Sequence, residues 1–153
     1  VAKHLEGKNS ISVVSCSLPV LNELEKYPSI TVFSVGGELK RDNHAFLGVE
    51  TELEISKYCA DIAFIGVAGI SSEFGLTNFY HQTATLCSRI IKQSKKVVLL
   101  ADSSKFDKAK SAVVGNLSDI DAIITDDGIP DSYVRLFNDL NVEVIQVKND
   151  RID

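Results

Sequence analysis

Short apolar runs alternate with segments of helical spacing along most of the chain. The runs are rich in β-branched residues and predict six strands, at residues 11–16, 30–35, 62–65, 97–100, 122–125 and 142–147. Apolar residues three and four positions apart predict helices between them, over residues 18–24, 48–58, 79–93 and 133–140. Apolar strands separated by helices are typical of parallel sheets with both faces covered. The pattern therefore predicts an α/β fold, a layered and mostly parallel sheet with helices on both faces.

The first residues and the composition indicate a fragment of a longer chain. Residues 1–5 are typical of the end of a helix, the chain begins at Val1, and its 153 residues include no methionine. A chain of this length corresponds to one domain. We therefore expect a single domain, residues 1–153, from which the first strand of the fold is missing.

Charge and cysteine content argue against several classes of function. The net charge is −5 and no run of Lys or Arg stands out, whereas binding to a nucleic-acid backbone usually requires a clustered basic face. Cys16, Cys59 and Cys87 lack the spacing of a zinc site or a disulfide framework. Cys59 and Cys87 lie among apolar neighbours, which predicts core positions for both. Without a signal peptide or a long apolar segment in the sequence, we expect a cytoplasmic protein without a membrane segment.

Small and polar residues follow the strands at what we predict to be one edge of the sheet. They are Ser15 and Ser17 after the first strand, Gly36 and Gly37 after the second, Gly66 and Gly69 after the third, Thr77 before the long helix, and Asp102, Ser103, Ser104 and Lys105 after the fourth. Ligands of open α/β sheets bind outside the carboxyl ends of the strands, so a shallow polar crevice is one interpretation. Positive-φ turns and close helix packing explain the glycines equally well.

The segment 99–106 has the most informative pattern of all. Its apolar run ends abruptly in Asp102, two serines and Lys105. Free backbone N–H groups and an ammonium group at such a place suit an anion, most often a phosphate. A strand followed by an Asp or Ser cap and a solvated lysine explains the same residues.

No set of residues predicts catalysis or metal binding. His4, His44 and His81 lie far apart, and none has a partner at metal-ligand spacing. Asp126 and Asp127 could act as paired carboxylates, but a turn before the next helix also explains them. We therefore expect no catalytic residue, no metal and no cofactor.

Six sequence blocks occur in one order: GGELKR at residues 36–41, FLG at 46–48, DIAFIGVAGI at 61–70, GLT at 75–77, LADSSKF at 100–106 and IDAIITD at 120–126. Together they resemble the C-terminal effector domain of the DeoR family of bacterial transcriptional regulators. The resemblance covers nearly the whole chain.

The resemblance implies the fold of ribose-5-phosphate isomerase, glucosamine-6-phosphate deaminase and the CoA-transferases. It also implies a regulator of sugar metabolism, usually a repressor, that is a homo-oligomer and binds operator DNA through an N-terminal winged helix-turn-helix outside these residues. The implied effector is a phosphorylated sugar or a related metabolite. On this interpretation Lys105 faces the phosphate and Asp102 and Thr77 contact sugar hydroxyls. The remaining predicted effector-binding residues are Ser15, Ser17, Gly36, Gly37, Gly66, Gly69, Ser103 and Ser104.

A sugar-phosphate isomerase or deaminase of the same fold is the alternative function, because a shared fold does not settle function. The corresponding loop of the isomerases carries catalytic carboxylates. This chain has Ala68 before Gly69 in that loop. The alanine therefore argues against the enzyme and for a domain that only binds its ligand.

Overall fold

Two compact units make up the chain in a computed structural model that describes residues 1–148. The first unit spans Val1–Tyr58, and the second begins at Cys59. Each unit is described by itself.

A pair of parallel strands forms the centre of the first unit. Strands β1 (Ile11–Ser15) and β2 (Ile30–Ser34) pair in parallel along their whole length. Helix α1 (Leu18–Leu24) makes the crossover that parallel strands require. Pro19 lies in its first turn, where a missing N–H group costs nothing, and Leu24 is buried.

A hairpin and a second helix complete the first unit. The hairpin consists of β3 (Glu38–Lys40) and β4 (Ala45–Leu47), and helix α2 (Val49–Ile55) follows it. Gly37 has a φ of +139°, and a Cβ atom there would collide with the Thr51 hydroxyl. Backbone conformation and packing therefore both require glycine before the hairpin. The predicted helix end at residues 1–5 is a single 3₁₀ turn, Ala2–Leu5.

The second unit contains seven strands and two α-helices in its described part. In chain order they are β5 (Ala60–Gly66), β6 (Gly69–Ser71), β7 (Gly75–Asn78), α3 (His81–Lys92), β8 (Ser94–Leu100), β9 (Ala112–Gly115), β10 (Ala122–Asp126), α4 (Asp131–Asp139) and β11 (Glu143–Val147). Four of the strands form a parallel sheet, the main sheet, in the order β11-β10-β8-β5. The prediction of an α/β fold with a parallel sheet flanked by helices is confirmed, and all six predicted strands are present.

One face of the main sheet carries the core of the second unit. Ile65, Leu99 and Ile123 lie side by side on neighbouring strands and are at most 4% exposed. Cys87 of α3 and Phe137 of α4 belong to the same hydrophobic cluster, so both helices pack against this face. Full burial of such large apolar side chains stabilises the fold by about 1.5–3 kcal/mol each.

A second, antiparallel sheet of this unit has the order β6-β7-β9, and the sequence did not predict it. The sequence predicts that residues 66–70 form a loop at the end of the third strand and that residues 75–77 precede the long helix. Gly69 and Thr77 instead face each other as a pair in this sheet. Strands of three or four residues are too short to show an alternating pattern, and their glycines are typical of turns.

Two further local predictions are wrong. Cys59 is exposed instead of buried, because it lies just before β5, next to the exposed ion pair of Asp61 and Lys95. The long helix begins at His81 rather than at Phe79, which is 60% exposed and lies 4.9 Å from the Lys110 ammonium group. The prediction that Cys87 is buried is confirmed.

Candidate functional site

The carboxyl ends of β5, β8 and β10 lie side by side at one edge of the main sheet. Gly66 pairs with Leu100, and Leu100 pairs in turn with Ile124. The residues that follow these strands therefore meet at one edge, as the parallel pattern predicts. This edge contains Gly66, the segment 102–105 and Asp126.

A short capped turn carries Lys105. The Asp102 Oδ1 atom accepts a hydrogen bond of 2.9 Å from the Ser104 N–H group and caps the 3₁₀ turn Ser103–Lys105. Phe106 follows and is 5% exposed, with its ring centroid 5.0 Å from that of Tyr133. The turn is thus fixed at its start by a cap and at its end by an aromatic anchor in the core.

Asp126 links this turn to the end of β10. Its Oδ2 atom accepts a hydrogen bond of 2.8 Å from the Ser103 N–H group, and its Oδ1 atom accepts one of 2.9 Å from the Gly128 N–H group. The sequence predicts Asp126 only as part of a turn or as one of two paired carboxylates for acid–base chemistry. An Asp at the end of a strand with Gly two residues later indicates the turn. The hydrogen bond to Ser103 can be predicted only when the order of the strands in the sheet is known.

The expectation of free backbone donors in this turn is wrong. The N–H groups of Ser103 and Ser104 donate to carboxylates, and that of Lys105 donates to the Asp102 carbonyl oxygen. With these N–H groups paired, the Lys105 ammonium group is the part of the turn best placed to bind an anion. The side chain of Lys105 is 36% exposed. Its Nζ atom lies 3.7 Å from the Oδ2 atom of Asp102, a side chain that is itself 58% exposed. Exposed ion pairs of this kind contribute little, so the ammonium group is available to a stronger partner.

The two carboxyl groups at this edge, those of Asp102 and Asp126, have pKa values below the ordinary value for Asp. Hydrogen bonding from the Ser104 side chain is the largest cause holding the pKa of Asp102 below its ordinary value. For Asp126, the hydrogen bond from the Ser103 backbone N–H group is the largest cause of a lowered pKa. The lowered pKa values keep both groups ionised at neutral pH, so neither carries a proton that it could give as a general acid.

Gly69 and Thr77 have structural roles in the antiparallel sheet. The Thr77 hydroxyl is fully buried, donates to the Gly69 carbonyl oxygen at 3.1 Å and accepts from the Lys110 N–H group at 2.9 Å. A Cβ atom on Gly69 would collide with the Lys108 carbonyl oxygen. The structure therefore offers no free Thr77 hydroxyl for a sugar, and the binding role of these two residues stays a prediction.

The predicted residues of the first unit lie at the carboxyl ends of β1 and β2. Ser15 Oγ accepts a hydrogen bond of 3.2 Å from the Ser17 N–H group. The Gly36 carbonyl oxygen accepts one of 2.7 Å from the Thr51 hydroxyl, and a Cβ atom on Gly36 would meet nothing within 4 Å. Gly36 thus leaves space above the backbone, whereas Gly37 does not.

Residues 1–148 contain neither a cluster of metal-ligating side chains nor a helix suited to span a membrane. They contain no group of three or more His, Cys, Asp or Glu side chains that could hold a metal ion. Within the same residues, no helix combines the length and the apolarity needed to cross a bilayer.

A parallel sheet whose carboxyl edge carries an ordered, charged turn is typical of α/β domains that bind small ligands. Residues 1–127 match the family described as the DeoR C terminal sensor domain. The chain therefore belongs to the DeoR C-terminal sensor domain family, and the resemblance stated above is confirmed.

Curated relatives of the chain are named as transcriptional regulators, several of them as repressors. The chain is 30% identical to the glycerol-3-phosphate regulon repressor of Escherichia coli (strain K12) over 145 residues, 94% of this chain and 57% of the relative. It is 30% identical to the HTH-type transcriptional repressor GlcR of Bacillus subtilis (strain 168) over 149 residues, 97% and 57%. It is 27% identical to the putative aga operon transcriptional repressor of Escherichia coli O157:H7 over 147 residues, 96% and 55%. The chain thus spans about half the length of these relatives.

Proposed function

We propose that the chain is the effector-sensing domain of a DeoR-type transcriptional regulator of sugar metabolism, most simply a repressor. The effector is a phosphorylated sugar or a related metabolite, bound at the carboxyl edge of the main sheet. The family supports sensing, and the phosphate in the name of one relative's regulon agrees with an anionic effector. The observation that carries the proposal is the Lys105 ammonium group at this edge, paired only loosely with an exposed carboxylate.

The geometry supports an exchange of partners at Lys105. A phosphate dianion near the ammonium group would form charge-assisted hydrogen bonds stronger than the 3.7 Å contact with Asp102. The Oδ2 atom of Asp102 then becomes available as an acceptor for sugar hydroxyls. The Ser103 and Ser104 hydroxyls lie in the same turn, where they hydrogen-bond to Asp126 and Asp102, and each would have to exchange its carboxylate for the phosphate in order to donate to it.

On this proposal, one domain of the complete regulator binds the effector and another binds the operator DNA. With a net charge of −5, this chain does not bind operator DNA itself; a winged helix-turn-helix outside these residues does so. The regulator is a cytoplasmic homo-oligomer, and the effector changes its affinity for the operator. Such coupling amounts typically to about 1–3 kcal/mol and requires different effector affinities of the two states.

Thermal unfolding with a panel of ligands tests the proposal. The panel contains glycerol 3-phosphate, ribose 5-phosphate, glucosamine 6-phosphate and the unphosphorylated counterpart of each. A ligand at about 100 times its Kd stabilises the protein by about 2.7 kcal/mol. We expect at least one phosphorylated compound to raise the Tm and its unphosphorylated counterpart to have no effect. Equal effects of both members of each pair would contradict phosphate recognition.

The enzyme alternative is not favoured, because the family is described as a sensor domain and curated relatives are named as transcriptional repressors. The same panel, assayed for turnover of ribose 5-phosphate and glucosamine 6-phosphate, separates the two functions. We expect no turnover. Turnover that Asp102→Asn abolishes would replace the sensor by the enzyme.

A further inference from the structure

We propose that Asp126 is a positioning residue of the effector site. Its carboxylate fastens the Ser103–Lys105 turn to the end of β10 and thereby sets the direction of the Lys105 side chain. This inference rests on the proposed function, because it assigns the turn to effector binding. Asp126 belongs to none of the effector contacts proposed above.

The contacts of Asp126 hold two loops with one carboxylate. One oxygen accepts from the Ser103 N–H group, after β8, and the other accepts from the Gly128 N–H group, after β10. Both oxygens are thus directed at the chain's own backbone. Asp126 acts on a ligand through the turn and does not bind the ligand itself.

Close packing between the two loops supports the same conclusion. A Cβ atom on Gly128 would lie 2.6 Å from Ser103 Oγ and 2.9 Å from Asp126 Oδ1. Such distances are too short for any real side chain, so only glycine allows the Ser103 side chain to lie here. The turn therefore rests on Gly128 while Asp126 holds it there.

The arrangement requires a carboxylate and not merely a polar side chain. Two acceptor oxygens serve two N–H groups, whereas an asparagine has one acceptor and would direct its NH₂ group at the other N–H group. Glutamate keeps both acceptors on a longer stem. Asp127, one residue further on, is exposed and supplies a matched control for the loss of one negative charge.

Amide chemical shifts of the free protein test the contact directly. In the wild type, the Ser103 and Gly128 amide signals should shift together as the pH falls through one pKa below the ordinary Asp value of about 3.9. Asp126→Asn should abolish this common titration and speed exchange of the Ser103 amide, and Asp126→Glu should restore both in part. Asp127→Asn should behave as the wild type. A common titration that persists in Asp126→Asn would overturn the inference.

Ligand affinity tests the consequence for the site. The probes are glycerol 3-phosphate, ribose 5-phosphate, glucosamine 6-phosphate and inorganic phosphate. We expect Asp126→Asn to weaken each probe that binds the wild type by about tenfold, Asp126→Glu to recover part of the loss, and Asp127→Asn to leave affinity unchanged. Gly128→Ala, which retains the Asp126 side chain but crowds both its Oδ1 atom and the Ser103 side chain, should cause a similar loss. Equal affinities of the wild type, Asp126→Asn and Gly128→Ala would overturn the inference. If no probe binds the wild type, the proposed function fails, and the amide titration alone decides whether Asp126 holds the turn.

Discussion

The turn at the carboxyl edge of the main sheet and the antiparallel sheet β6-β7-β9 both contain small and polar residues, but they use them in opposite ways. Residues of both regions, Lys105 of the turn and Gly69 and Thr77 of the antiparallel sheet among them, are predicted from the sequence to contact the effector. At the edge, Asp102 and Lys105 keep much of their side chains in solvent. In the antiparallel sheet, Thr77 is fully buried with its hydroxyl bonded on both sides.

The difference shows that small residues at strand ends serve two separate purposes. At Gly69, the missing side chain lets another backbone segment approach, since a Cβ atom would collide with the Lys108 carbonyl oxygen. At the edge, the short side chains of Ser103 and Ser104 leave Lys105 accessible. Substitutions in the antiparallel sheet should therefore change stability, and substitutions in the turn at the carboxyl edge should change affinity for the effector.

The largest loss of stability is expected for Gly69→Ala. The added methyl group meets backbone and the Thr77 hydroxyl, neither of which can move freely. Overpacking of this kind costs about 1–3 kcal/mol and occasionally more. Gly36→Ala is the matched control, because its new methyl group meets nothing within 4 Å. Urea unfolding of both variants should separate them by more than 1 kcal/mol; equal values would contradict the close approach at Gly69.

Thr77→Val should have a somewhat smaller effect on stability. The substitution keeps the shape of the side chain and removes the hydroxyl that accepts from the Lys110 N–H group. A buried donor left without its partner costs about 1–3 kcal/mol. Thr77→Ser retains the hydroxyl and should preserve the Lys110 amide's protection from hydrogen exchange, whereas Thr77→Val should lose it. Full protection in the valine variant would show that this bond contributes nothing.

The fold was largely predictable because the six predicted strands are rich in apolar and β-branched residues. Val97, Val98 and Leu99 show this most clearly, since all three are buried. The short strands β6, β7 and β9 were missed, because three or four residues rich in glycine are as typical of a turn as of a strand. Their pairing depends on contacts distant in the sequence, such as Phe106 bridging to Ile70.

The sequence predicted where the turn of the candidate site lies, but it did not predict the hydrogen bonds that hold the turn in place. The run of residues 99–106 identified the turn, the cap and the lysine. It could not show that Asp126, more than twenty residues away, accepts the Ser103 N–H group. That contact exists because β8 and β10 are neighbours in the main sheet, and the order of strands is not written in any local pattern.

The smallest of the stability effects is expected from the ionisation of Asp126. Its pKa is lowered in the folded state, so the stabilisation is complete above the ordinary Asp pKa of about 3.9 and is lost as the pH falls through the lowered value. Other carboxylates also have lowered pKa values, and the difference between wild type and Asp126→Asn isolates this one. That difference in unfolding free energy should be constant from pH 5 to pH 7 and shrink below about pH 4. A difference that grows on acidification would contradict the sign of the pKa shift.

The central claim, that Lys105 binds the phosphate of an effector, is tested most directly by calorimetric titration of the wild type and two lysine variants. Lys105→Ala removes the ammonium group at the carboxyl end of β8. Lys95→Ala makes the same change of charge at the amino end of the same strand, where its partner is Asp61. A charge-assisted hydrogen bond is worth about 1.5–3 kcal/mol, so Lys105→Ala should weaken phosphosugar binding by about tenfold or more and Lys95→Ala should leave it unchanged. Equal weakening by the two variants, or unchanged affinity in Lys105→Ala, would contradict the account.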